Sequence, residues 1–415
     1  MSTRNTKLVI LGGGAAGLLI AMELSNTKYL DITLIDSKSF YEYTPGLCSV
    51  LYEDTDAKFE KHFNDITFDY KPFLKRLNVH FVHGKVESLK DEKETNQIHK
   101  VHLVDDIPVA YDYLVICTGS SYADPWKTGS SDHQTSTLDA NARLDYLRQH
   151  REKFQSSQDI LCIGGGPVGA ELVTEVAYRT PHKQIVLVDS NKTVLSSAPN
   201  GIGKHAQTII ESTPSIRTIM EEHASEKKQE PMNPKKIYET DKSHTRIETD
   251  LVYNCIGVTP NSSFLPKDWL DDKNQVIVDE TLKVVKAHNV FAVGDVCSVK
   301  EPKMFYTAHM QAVHFVKNLK RLLDNMAVED LLSYQGARIN MVISMGPKYA
   351  VGSISGVPLY GWPFNVKKGS RTAAVTKHFI ERITMDDFGL KMPVNNLLYY
   401  TQTKNFGGLL PQHLF

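Results

Sequence analysis

A glycine-rich turn that occurs twice sets the tightest limit on how this chain folds. Gly12-Gly13-Gly14-Ala15-Ala16-Gly17 follows the apolar run Lys7 to Leu11, and Gly164-Gly165-Gly166-Pro167-Val168-Gly169 follows Ile160 to Ile163. Each turn opens a stretch with helical character, Leu18 to Leu24 in the first copy and from Ala170 in the second. The copies begin 152 residues apart. Each is followed by an acid at the end of the next apolar run: Asp36 lies 19 residues beyond Gly17, and Asp189 lies 20 beyond Gly169. A lone turn of this kind is common. Strand, turn, helix and acid in the same order twice predict two βαβ units that bind dinucleotides.

Glycines let the backbone turn sharply and approach a pyrophosphate, whose charge meets the N–H groups and positive dipole end of the following helix. Pro167 suits the first helical turn, where its missing N–H has no partner to lose. Asp36 and Asp189 are placed to accept ribose hydroxyls, and Asp189 repels a 2'-phosphate, so NADH is expected ahead of NADPH. NADPH stays open, because Ser190-Asn191-Lys192 has room to accommodate a phosphate.

Two related segments close the units. Tyr111 to Gly119 reads as a buried strand ending at Thr118-Gly119, and Asp250 to Gly257 is a near copy; both are expected to mark chain crossings between domains. Glu221 to Glu248 is polar and holds Pro231 and Pro234, which predicts exposed hairpins or loop. Further on, Asn289 to Asp295 delivers an acid beside a glycine at a strand tip, placed to bind a ribityl chain. A helix starting near Thr307 reads either as aiming free N–H groups at a flavin pyrimidine edge or as an N-capped amphipathic helix with no ligand. The expected cofactor-binding residues are therefore Gly12, Gly14, Ala15, Ala16, Gly17, Asp36, Lys38, Val86, Thr118, Gly119, Gly294, Asp295, Thr307 and Ala308 in the first unit, and Gly164, Gly166, Pro167, Val168, Gly169, Asp189 and Gly257 in the second.

The bulk numbers narrow the classes. With 415 residues, 41% of them hydrophobic, the chain suits two or three domains. Lys plus Arg number 47 against 48 Asp plus Glu, and a net charge of −1 gives no global reason to expect nucleic acid. No apolar signal core stands at the N-terminus, no apolar run is long enough to span a bilayer, and Ser2 stands where myristoylation needs glycine. A cytoplasmic protein is expected, with membrane contact at most peripheral. Cys48, Cys117, Cys162, Cys255 and Cys297 form no CxxC or CxxxxC pair, which disfavours an electron relay through a dithiol. No metal site is expected.

The order Gly12-x-Gly14-x-x-Gly17, Thr118-Gly119, Gly164-x-Gly166-x-x-Gly169-x-Glu171 and Gly294-Asp295 resembles the pyridine-nucleotide flavoprotein oxidoreductases over about 330 residues. Within them, Cys255 to Ser263, Pro302-Lys303-Met304-x-Tyr306-x-Ala308, Ser344-Met345-Gly346 and Val351 to Gly356 look like the AIF-like NAD(P)H:quinone oxidoreductases of the ferroptosis suppressor family. Tyr41 to Leu47 is also similar to the re-entry motif of type II NADH:quinone oxidoreductases.

This resemblance implies an α/β fold of the glutathione-reductase kind, with two Rossmann-like domains and a C-terminal α+β region. The implied division is an FAD-binding domain in two parts (1–120 and 258–335), an inserted NAD(P)H-binding domain (121–257) and a C-terminal domain (336–415). It implies FAD and NADH as cofactors and hydride transfer followed by two-electron reduction of a quinone. Glu171, by position, and His309 are the expected catalytic residues. The alternatives are a redox-gated AIF-like binding protein with slow turnover and, behind it, a sulfide:quinone oxidoreductase. The oligomer is expected to be a monomer or homodimer. Lys367, Lys368, Arg371, Lys377 and Arg382, near Trp362, Phe364, Phe379 and Ile380, read as a surface for anionic lipid or as a solvated face. Leu397 to Tyr400 and Phe406 to Leu410 are apolar and are expected to cover the core, a twin subunit or lipid.

Overall fold

The computed structural model describes residues 4–89, 99–104, 108–127, 138–199, 201–228, 234–337, 339–354, 356–359 and 369–388. Its helices are α1 (Ala15–Leu24), α2 (Leu47–Leu51), α3 (Asp56–Asp65), α4 (Tyr70–Arg76), α5 (Ala140–Ser156), α6 (Pro167–Arg179), α7 (Ile202–Glu211), α8 (Phe305–Leu323) and α9 (Arg371–Phe388).

Both glycine turns belong to parallel sheets built on one plan. In the first sheet the strands lie side by side in the order Val290–Ala292, Tyr113–Ile116, Thr6–Leu11, Leu30–Asp36 and His80–His83. In the second the order is Ile216–Met220, Gln184–Asp189, Asp159–Ile163 and Leu251–Asn254. Parallel strands are covered on both faces, which is why Leu8, Val9, Ile10 and Leu11 form an unbroken apolar run with all four side chains buried.

The duplication extends beyond the turns. Before Tyr113–Ile116 in the first unit and before Leu251–Asn254 in the second the chain makes an antiparallel three-stranded sheet, Val86–Leu89 with His99–Leu103 and Pro108–Tyr111, or Ala224–Glu226 with Lys236–Thr240 and Arg246–Thr249. The polar stretch from Glu221 to Glu248 thus forms hairpins as expected, but it is not merely exposed. Tyr238 and Ile247 pack against Leu161 and Val188 and seal one face of the second sheet.

The second unit is inserted in the first, and the two crossings touch. Ser120–Ser121, after Gly119, pairs antiparallel with Thr259–Pro260, after Gly257. Asn261 bolts them together: its side-chain amide donates to the Thr118 carbonyl at 2.9 Å, and the Thr118 hydroxyl donates to the Asn261 carbonyl at 2.7 Å. The C-terminal strands Met341–Ser344, Ala350–Ile354 and Val357–Pro358 form a small antiparallel sheet on which α9 rests. That sheet lies against α6: a Cβ at Gly346 would meet the Tyr178 Cβ at 3.3 Å. Trp362, Phe364, Lys367, Lys368 and the apolar tail after 388 lie outside the described residues, as do Arg338 and Ser355.

Candidate active site

The two turns have nearly the same backbone. Gly12 has φ +96° and Gly164 φ +106°, values that favour glycine. A Cβ at Gly12 would lie 2.5 Å from the Cys117 carbonyl oxygen, and one at Gly17 would lie 1.9 Å from the Gly12 oxygen. The second copy repeats the latter clash, with 1.9 Å from Gly169 to the Gly164 oxygen. Gly14 and Gly166 differ from these. They cap α1 and α6 with φ/ψ of −68°/−163° and −67°/−172°, and a Cβ at either would meet nothing within 4 Å. Both turns therefore leave open space in front of free helix N–H groups, which is the cradle a pyrophosphate needs.

Each acid is aimed by its own turn. The Asp36 carboxylate accepts from Gly13 N at 2.6 Å and from Lys38 N at 2.7 Å. Asp189 accepts from Gly165 N, from Asn191 N at 2.6 Å and from the Asn191 side chain at 2.8 Å. The Lys38 ammonium lies over the Phe40 ring. Val86, half-buried, follows the bend where Gly84 N donates to the Asp36 carbonyl at 2.9 Å. Gly119 and Gly257 both have positive φ and face open space.

Three segments distant in sequence meet below the first turn. A Cβ at Gly294 would lie 3.6 Å from that of Ala308 and 3.9 Å from that of Ala16. Gly294 N donates to the Gln311 side chain at 2.6 Å, fixing the loop on α8. Asp295 accepts from the Ser120 hydroxyl at 2.7 Å, with the Lys127 ammonium at 3.7 Å. α8 begins at Phe305, two residues before the expected start, and the Thr307 hydroxyl donates to the Pro302 carbonyl at 2.7 Å, serving the helix start. His309 is buried with its ring 4.2 Å from that of Phe305, which in turn packs edge-on against Tyr43.

Glu171 is buried on α6, where its carboxylate accepts from Ser344 N at 3.0 Å and pairs with Lys377. Lys377 corrects the expectation of a basic surface stretch. Helical periodicity splits that stretch: Arg371, Val375, Phe379 and Arg382 point outward, whereas Ala373, Ala374, Lys377 and Thr384 face the protein. Burial opposes the Lys377 charge, but Glu171 raises its pKa above the ordinary lysine value. One turn on, Glu381 approaches the re-entry segment, where a Cβ at Gly46 would lie 3.0 Å from its carboxylate. His62 of α3 sits between Glu53, at 3.0 Å, and Glu381, at 3.5 Å. Lys377 and Glu381 share a face of α9 through their four-residue spacing, but nothing in the sequence marks His62 or Glu171 as their neighbours.

The cysteines also sort differently in space. Cys162 Sγ lies 3.8 Å from Cys255 Sγ beneath the second turn, a proximity hidden by 93 residues of separation. Cys48 is buried on α2, and burial pushes its thiol well above the usual range. Among the described residues no group of three or more His, Cys, Asp or Glu side chains is arranged to hold a metal ion.

Two glycine turns of one design, the second unit inserted in the first, are the plan of the pyridine-nucleotide flavoprotein oxidoreductases. The profile of the pyridine nucleotide-disulphide oxidoreductases matches residues 6–312, and the chain belongs to that family. It is similar to ferroptosis suppressor protein 1 of Homo sapiens, 28% identical over 84% of this chain and 88% of that protein. It is also similar to oxidoreductase ptaL of Pestalotiopsis fici, 29% identical over 75% of this chain and 82% of that one. Among solved structures, the sulfide:quinone oxidoreductase of Aquifex aeolicus shares the fold with a TM-score of 0.69 at 17% identity, covering 95% of each chain. The ferredoxin reductase of the Rhodopseudomonas palustris CYP199A2 system gives 0.63 at 20% identity over 84% of this chain and 82% of that chain.

Proposed function

We propose that the protein is an NAD(P)H:quinone oxidoreductase that works with FAD in the first unit and NADH in the second. The observation that carries the reading is the meeting of Ala16, Gly294 and Ala308 under the open mouth of the first turn, with Asp295 beside them. Those residues fit an extended dinucleotide: open helix N–H groups for its pyrophosphate, Asp36 for a ribose and Asp295 for a ribityl chain. When bound, FAD supplies the hydride acceptor and hands two electrons on.

The chain's own residues bind, aim and hold charge. The N-terminal ends of α1 and α6 meet the two pyrophosphates. Asp189, held by three donors, is aimed at the second ribose and disfavours a 2'-phosphate. Glu171 and Lys377 hold an ion pair, and so a proton, where α6 and α9 meet. Tyr43 lies close enough to Glu171 and Glu381 that, after burial, their charges raise its pKa further. A thiol relay finds no support in Cys48, which is sealed and held in its thiol form. With the motifs shared with the quinone-reducing flavoproteins, this favours a quinone over a disulfide or sulfide.

The test is steady-state oxidation of NADH by the purified, FAD-loaded protein with short-chain ubiquinone and with menadione. Turnover with either, and a kcat/KM for NADH at least tenfold above that for NADPH, are expected. FAD-loaded protein that reduces neither quinone overturns the reading.

A further inference from the structure

Reduction of a quinone by NADH consumes one proton from outside the coenzyme: NADH, a proton and quinone give NAD⁺ and hydroquinone. Hydride supplies two electrons and one hydrogen nucleus, so a second proton has to reach the reacting quinone oxygen. The structure holds a chain of side chains with the right order for this. His62 Nδ1 faces Glu53 at 3.0 Å, and His62 Nε2 faces Glu381 at 3.5 Å. Glu381 and Lys377 are four residues apart on α9 and therefore share a face, and Lys377 pairs with Glu171. The side chains of Glu53, His62, Glu381 and Lys377 keep 15%, 17%, 18% and 17% of their surface exposed and Glu171 keeps 11%, so the chain touches solvent along its length and is most closed at Glu171.

We propose that His62 is the proton-delivery residue of this site, passing protons from solvent through Glu381 to the Lys377–Glu171 pair, with Glu53 positioning its ring. The proposal rests on the quinone reading above. In each turnover a Lys377 N–H bond breaks as an O–H bond forms on the quinone oxygen. His62 Nε2 hands its proton to the Glu381 carboxylate, Glu381 passes it to the resulting amine, and the ring takes its replacement from solvent. No electron moves along the chain.

The surroundings favour this use. Glu53 Oε2 is held by Arg179 at 3.1 Å, and Arg179 is also bound to Glu175 at 2.7 Å, so Glu53 is a fixed carboxylate that orients the ring. Other charged or titratable groups facing the chain are Asp54 beside Arg179, Glu171 and Glu175 on α6, Tyr43 of the re-entry segment and Cys48 on α2. Burial opposes protonation of His62, but its bonds to Glu381 and Glu53 carry its pKa up to about 9, so at neutral pH the ring already holds the proton it is to give. Gly46 completes the arrangement, since any side chain there would crowd the Glu381 carboxylate.

Ferricyanide separates proton delivery from everything upstream, because two ferricyanides take two electrons and no proton. FAD-loaded His62→Ala and Glu381→Gln are assayed with short-chain ubiquinone, with ferricyanide, and by stopped-flow reduction with NADH alone. Ubiquinone kcat is expected to fall about 10- to 100-fold, on the order of a lost general acid. Ferricyanide turnover and the NADH half-reaction are expected to stay within about twofold. Added imidazole is expected to restore part of the ubiquinone rate to His62→Ala. Equal losses with both acceptors, or an unchanged ubiquinone rate, overturn the proposal. Should the variants fail to fold, the wild type decides: its ubiquinone kcat is expected to fall above pH about 9 while its ferricyanide kcat does not, and coincident profiles overturn the relay. A wild type that reduces ferricyanide but no quinone refutes the quinone reading and the relay with it, whereas quinone turnover indifferent to His62 refutes the relay alone.

Discussion

Glycines in one turn do different work here, and substitutions can tell them apart. Gly17 is needed for packing, because a Cβ there would sit 1.9 Å from the Gly12 oxygen, inside the closest contact between α1 and its strand. Gly14 faces open space and has a backbone that alanine adopts readily. Gly17→Ala is therefore expected to destabilise the fold by about 3 kcal/mol or more, since the methyl group meets backbone that cannot move aside. Gly14→Ala is expected to leave the melting temperature of the FAD-free protein within about 2 °C, a small change on the scale for domains this large, while weakening FAD retention at least tenfold. Melting curves of stripped protein, with flavin absorbance after gel filtration, check both. Equal melting temperatures for the two variants would show that the contact below Gly17 is not as tight as the structure has it. Of the expected residues, those in the turns were legible because they sit within one motif. Lys377, Glu381 and His62 were not, since a buried ion network has no local spacing and its members here come from α3 and α9.

On the scale of elements, α9 is held by charges as well as by its apolar face, where Met385 packs on the main core and Ala373 and Ala374 on Ala350. Its inward residues Ala373 and Ala374 are small, while Lys377 reaches the second unit through Glu171 and Glu381 reaches the first through His62. Sequence composition made this helix look like a basic patch. Only the 3.6-residue period, together with knowledge of which side faces the protein, separates Lys377 from Arg371 and Arg382. Its docking is expected to depend on pH. The folded-state pKa of His62, about 9, lies above the value of about 6.5 for a free histidine, so its contribution to stability is complete below pH about 6.5 and is lost as pH rises through about 9. The difference in melting temperature between wild type and His62→Gln is accordingly expected to be largest at pH 6 and to shrink towards zero by about pH 9.5. Curves that stay parallel across that range would rule out the ion-paired His62. Measuring the difference between the two proteins cancels other groups that titrate in the same window.

At the scale of the whole molecule, the duplication was only half visible in sequence. The parallel strands and glycine turns are marked by apolar runs and fixed spacing, whereas the paired antiparallel sheets are short, largely polar on one face and interrupted by turns, so they resemble loop until a partner sheet is present for them to cover. The chain crossings between the units were marked by Thr118-Gly119 and Gly257, but the arginines that also tie the units together had no sequence mark. Arg143 of α5 is buried and bound through Nε to Glu42 at 2.7 Å, with its Nη2 donating to the Pro125 carbonyl at 3.0 Å. Arg151 donates to the Leu51 carbonyl at 3.0 Å, and Arg148 pairs with Glu60 at 2.8 Å. Only the first of these pairs is fully removed from water, with 1% and 3% of the two side chains exposed, so it alone carries a large cost when broken. Arg143→Met leaves Glu42 as an uncompensated buried charge and is expected to destabilise the protein by about 3–5 kcal/mol, whereas Arg148→Met is expected to cost about 1 kcal/mol or less. Because the same residue joins both units, Arg143→Met is expected to lower a single calorimetric transition. An unchanged first-unit transition with a separate early melt of the inserted unit would show that the arginines decorate the joint and do not hold it.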